Sequence, residues 1–175
     1  MRFSVIAVAA LLFLGGCAKQ GTFDLFKIDE THERAVEELR SGAIVRSLET
    51  KAIISSLYLN RTDPAKYQEG ENFIVAVYFE NDNRSYKVRE LESNGFKLTL
   101  NGKKASIIEP LNEKDTRRTL MPVQNNWNRY YYVQFTSELN SSLALQLEKN
   151  QTGSVVLNYQ KWPLVAPARQ KSAYK

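Results

Sequence analysis

The chain is poor in the residues that do most enzymatic chemistry. It has one cysteine, Cys17, and one histidine, His32, in 175 residues. With no second cysteine there is no intrachain disulfide, so the fold must stand on its core alone. A catalytic triad needs a base, and His32 is the only imidazole. It falls in a predicted helix, where a partly exposed helical residue is its ordinary role. No serine sits in a Gly-x-Ser-x-Gly elbow, and no glycine-rich loop is present to cradle a phosphate. One histidine and one cysteine leave too few soft ligands for zinc. Glu80-Asn81-Asp82-Asn83 offers oxygen ligands, but lacks the glycine and the distal glutamate of a calcium loop. The sequence therefore predicts no metal and no cofactor. Nineteen acidic residues make a pair flanking a cleft statistically easy, as glycoside hydrolysis would need, yet no pair stands out. A long apolar run is also missing. The longest, Ser4–Leu14, is too short to cross about 30 Å of hydrocarbon as a helix.

What the N-terminus does contain is a graded signal. Met1-Arg2-Phe3 carries one positive charge, the apolar run follows, and Leu14-Gly15-Gly16-Cys17 closes it. This resembles the lipobox of bacterial lipoprotein signal peptides: a leucine, two small residues and the cysteine. The resemblance implies cleavage between Gly16 and Cys17, with acyl chains added to Cys17. Two acyl chains already anchor a protein stably, so three would hold it permanently on a membrane. Ala18 follows the cysteine. In enteric bacteria an aspartate there often retains a lipoprotein at the inner membrane. Its absence favours an outer-membrane location facing the periplasm. In its general build the chain is similar to small envelope lipoproteins of Gram-negative bacteria, a likeness whose specific part covers only the first twenty residues.

Removing residues 1–16 leaves 159 residues, the size of one domain. Arg2 goes with them, leaving 23 basic against 19 acidic side chains, a net charge of +4. The surplus is mild and interspersed, and does not point to nucleic acid. The organisation expected is a signal peptide at 1–16, a lipidated tether at 17–28, one domain over 29–162 and a basic tail at 163–175. Arg169, Lys171 and Lys175 make that tail basic, and a solvated terminus is its ordinary reading.

Within the domain the spacing predicts a helix over Asp29–Arg40, stopped by Gly42 at a left-handed C-cap. From Ile44 the pattern turns to β. Leu48–Asn60 is rich in β-branched and aromatic residues, and Pro64 is placed to open a helical turn reaching Tyr67. Phe73–Phe79 is apolar at nearly every position, as in a central strand covered on both sides. A short helix is expected over Tyr86–Leu91. Phe96, Leu98 and Leu100 alternate with Lys97 and Thr99, and Asn101-Gly102 is a strong hairpin signal. Ala105–Glu109 is expected as its returning partner, ended by Pro110. Asn112–Asn126 reads as a polar loop. Arg129–Thr136 and the alternating leucines of 143–147 are further strands, and the 150–153 turn leads to Val155, Leu157 and Tyr159. The fold class this predicts is mainly β: an antiparallel immunoglobulin-like sandwich of about seven strands, preceded by one N-terminal helix.

The least ordinary surface feature is aromatic. Trp127, Tyr130 and Tyr132 share one strand face, opposite Tyr131, Val133 and Phe135, and are the candidate binding surface for an envelope protein or glycan. The competing expectation is that this face is covered. Asn140 and Asn150 each sit in an acid-x-Asn-x-Ser/Thr stretch that resembles the acceptor sequon of bacterial N-glycosylation. Three functions remain: a non-catalytic, lipid-anchored envelope protein that binds or assists another component, an assembly subunit of an envelope machine, and an enzyme acting on polysaccharide or peptidoglycan.

Overall fold

A computed structural model of the chain describes residues 30–80, 91–92 and 95–161. Gly16, Cys17 and the 17–28 tether lie outside the described residues, as do the tail from 162 onward, Asn81–Asn83 and most of the expected 86–91 helix. Among the described residues the chain is mainly β. Helix α1 (Glu30–Glu38) leads directly into β1 (Leu39–Arg46), and β2 (Glu49–Tyr58) returns beside it. A helical turn, α2 (Leu59–Thr62), precedes β3 (Glu71–Phe79). Then come β4 (Phe96–Leu100), β5 (Lys103–Lys104), β6 (Ile107–Leu111), a 3-10 helix (Thr116–Leu120), β7 (Arg129–Phe135), β8 (Ser142–Lys149) and β9 (Gly153–Gln160). The strands form two antiparallel sheets, ordered β1-β2-β3-β7-β6 and β5-β4-β8-β9.

β3 occupies the centre of the first sheet and is buried along both faces, as its apolar run predicts. Phe73, Val75 and Val77 point into the space between the sheets, against Leu98, Leu143, Leu145, Leu147 and Leu157. Ile74 and Ala76 point the other way, into a second cluster with Ala35, Leu57, Leu59, Met121 and Tyr130. The first sheet is thus covered twice, once by the second sheet and once by α1 and the connections after β2 and β6.

Several local expectations are corrected. Gly42 does not stop a helix; α1 ends at Glu38 and Gly42 lies in β1 opposite Ile54. Its role is steric. A Cβ at this position would stand 2.5 Å from a methyl of Val155, where β1 crosses β9 and the two sheets close on each other. The turn at Pro64 does form, with the N–H groups of Lys66 and Tyr67 both donating to the Asp63 carbonyl at 3.1 Å, and α2 is a further helical turn just before it. The Asn101-Gly102 turn does form, with both residues at positive φ (48° and 81°), but its hairpin is only two pairs long. After Lys104 the chain departs for the other sheet, and 107–111 pairs with β7 instead of β4. Pro110 does not end that strand. It sits within β6, an edge strand, where a missing N–H is tolerated. β1 and β5 are the strands the sequence reading lacked.

A buried charge network ties the end of the molecule where β2, β3 and β9 meet. Glu71 is almost fully buried and accepts hydrogen bonds from Tyr58 Oη (2.6 Å) and from the backbone N–H of Glu138 (2.9 Å). Lys161 pairs with the same carboxylate and donates to the Glu138 carbonyl. Burial, and then the bond to Glu71, push the Tyr58 phenol well above its ordinary value. Glu138 is itself buried and paired with Lys103 at 2.7 Å.

Gly42→Ala should destabilise the fold by about 1–3 kcal/mol, because Val is stiff at χ1 and cannot swing clear. Adding Val155→Ala should recover most of that loss, and urea denaturation of the single and double variants reads both. Acid supplies a second test. The hydrogen bond from Lys103, aided by one from Asn101, holds the Glu138 carboxyl below the usual carboxylate range. Its folded value is lower than its unfolded one. The stabilisation is therefore present above about pH 4.3 and is lost as pH falls through the folded value. The stability gap between wild type and Glu138→Gln should be open at pH 7 and narrow steadily as the solution is acidified below about pH 4.3.

Candidate binding groove

The second cover of the first sheet is incomplete. It rests over the Leu57–Ile74–Tyr132 end, and leaves the outer face near Ser41, Ser55 and Ile53 open. There the structure forms an open groove of about 480 Å³. β1 contributes Leu39 and Ser41, β2 contributes Ile53 and Ser55, and β3 contributes Tyr78. Met121, Val123, Asn125, Trp127 and Asn128 form the opposite wall. The floor is low because Ser41 and Ser55 are cross-strand partners with small side chains, joined Oγ to Oγ at 2.8 Å. Ile53 (41 %), Val123 (62 %) and Trp127 (63 %) expose large apolar surface around it.

Trp127 is held in place by its neighbours. Asn125 Oδ1 accepts from the backbone N–H groups of Trp127 (3.0 Å) and Asn128 (2.9 Å), an Asx-type turn that fixes the loop tip. The N–H of Asn125 in turn donates to Tyr130 Oη at 2.9 Å. Arg118, buried, stacks 4.1 Å from the Tyr130 ring centroid and donates to the Asn125 carbonyl at 3.3 Å. An exposed indole on a pinned turn loses little freedom when it binds.

Of the three aromatic residues expected on one binding surface, only Trp127 faces solvent. Tyr130 is buried at 3 % exposure, and Tyr132 is half-buried. The 112–128 connection folds back over β7 and covers them. Arg117 lies 5.0 Å from the Tyr132 ring centroid while bound to Asp115 and Glu109. The Tyr132 hydroxyl donates to Asn72 at 2.6 Å. Tyr130 therefore braces the Trp127 turn through Asn125 instead of joining Trp127 at the surface, and Tyr132 is engaged elsewhere, with Asn72 and Arg117. Asn140 and Asn150 are exposed, next to strand ends.

Groove residues from β1–β3 are absent from the sequence reading. Ile53-Ile54 makes both faces of β2 apolar and hides which isoleucine is exposed. Nothing in the sequence pairs Ser41 with Ser55. The run Asn125-Asn126-Trp127-Asn128 was a usable signal, since asparagines around a tryptophan mark a turn that presents it. Among the described residues, none of the groove's lining side chains is acidic, basic or histidine. His32 is exposed on α1. Among the described residues, no group of three or more His, Cys, Asp or Glu is gathered as a metal site would require.

Asn125→Ala should free the Trp127 turn without unfolding the sheet. In a Trp162→Phe background, where Trp127 is the sole indole, we expect lower fluorescence anisotropy for Asn125→Ala. The accompanying stability loss should be about 1 kcal/mol by thermal denaturation.

Comparison with known proteins found no matching protein family, no matching characterised protein and no matching solved structure.

Proposed function

We propose that this chain is a lipid-anchored protein of the bacterial envelope, fixed through acyl chains on Cys17, and that its domain is a non-catalytic binding module. The observation that carries the binding reading is Trp127, exposed and held by the Asn125 turn at the rim of an open groove. The uncharged lining also favours recognition over hydrolysis, because among the described residues no carboxylate or imidazole lines the groove to move a proton. The lipobox supports the anchor, and Ala18 supports an outer-membrane location facing the periplasm. We read the two sheets as an immunoglobulin-like sandwich. The chain's crossings between sheets at 104–107 and 136–142 support that reading.

A second reading, an assembly subunit of an envelope machine, draws on the β1–β2 hairpin tip. Ser47 and Leu48 both adopt positive φ (52° and 66°), and Leu48 is fully exposed. A leucine in left-handed backbone at a solvent-exposed tip is unfavourable on its own, and contact with a neighbour would offset that.

Mass spectrometry of the native protein tests the anchor. It should find residues 1–16 removed and Cys17 acylated. Cys17→Ser should leave the leader attached and the acyl mass absent. A native protein with unacylated Cys17 overturns the location.

A further inference from the structure

We infer that the groove beneath Trp127 is a binding site for a neutral glycan, an inference that rests on the binding-module reading above and names its ligand class. Two aromatic rings, Tyr78 from β3 and Trp127 from the loop before β7, line the same groove. Aromatic faces suit the apolar C–H surface of a sugar ring. Between and beside them stand neutral hydrogen-bonding groups only: the hydroxyls of Ser41, Ser55 and Tyr78, the amides of Asn125 and Asn128, and the indole N–H.

The lining separates this ligand from its competitors. Among the described residues no lysine or arginine lines the wall, so an acidic polysaccharide, a phosphate group or a nucleic acid gains no charge pairing from them. A lipid chain would cover the Tyr78 hydroxyl and the asparagine amides without offering them a hydrogen bond. An extended polypeptide would seek free main-chain groups, but β2 and β3 under the groove are paired on both sides, and β1, the edge strand that also lines it, packs against β9. A sugar fits both properties at once, with rings for the aromatic faces and hydroxyls for the neutral donors and acceptors. The volume of about 480 Å³ lies within the roughly 300–1,000 Å³ of small-ligand sites.

The test uses the full mature chain, purified in a detergent without a sugar headgroup, on an array of neutral oligosaccharides of two to six rings. Hits are titrated by tryptophan fluorescence in the Trp162→Phe background. We expect saturable binding that shifts Trp127 emission. Followed on the array, Trp127→Ala and Tyr78→Ala should each weaken binding tenfold or more with circular dichroism unchanged. Trp127→Phe should retain part of it, and Leu139→Ala, exposed away from the groove, should change nothing. A blank array, or binding that survives Trp127→Ala, overturns the inference. A photo-crosslinking residue at Val123 in intact cells separates the two levels. A polypeptide adduct with a blank array overturns the glycan and leaves the binding module standing, whereas neither adduct nor glycan overturns both.

Discussion

The structure depends on burying β3 on both faces. A nine-residue strand reading Glu-Asn-Phe-Ile-Val-Ala-Val-Tyr-Phe has no side to give to water. The second sheet solves half of that problem. The other half is solved by pieces with no regular sheet of their own: α1, the turn after β2 and the long connection after β6. These pieces reach across Ile74 and Ala76 but stop short of Tyr78, which remains half-buried. The groove is the place where this second layer ends. The binding site we propose is thus a by-product of how the central strand is hidden.

The same layer explains why arginines sit in an otherwise apolar setting. Arg117 and Arg118 are adjacent, yet each lies against the ring of a different tyrosine on β7. Their planar guanidinium groups stack on rings and hydrogen-bond outward together, as a lysine could not. Arg117 is clamped by Asp115 and Glu109, with Asp115 at 2.7 Å. A polar loop is thereby made rigid enough to carry Trp127, with aromatic surface serving as its foundation.

The fold was legible wherever a pattern was local. The doubly apolar run of β3, the alternating leucines of β8 and the Asn101-Gly102 turn all state their structure within a few residues. What could not be read was set by partners far away. Gly42 looks like a helix stop because the reason for its missing side chain is Val155, more than a hundred positions later. Residues 105–109 look like the second half of a hairpin because nothing local says that they change sheets. In the site, Trp127 was legible as a candidate binding aromatic, but on a strand face with Tyr130 and Tyr132, whereas it stands in the turn before β7. The separation of Trp127 from Tyr130 and Tyr132 was not legible, since the cover over those tyrosines comes from their own preceding loop.

The edges of the two sheets carry a different meaning. A strand with unpaired main-chain groups invites a neighbouring chain to add itself. Of the four edge strands, β1 and β9 pack against each other, β6 carries Pro110, and β5 is only Lys103-Lys104. Molecules confined to a surface meet one another far more often than molecules in bulk. If the proposed anchor confines this chain to a membrane, the proline and two lysines at these borders would work against such encounters growing into a shared sheet.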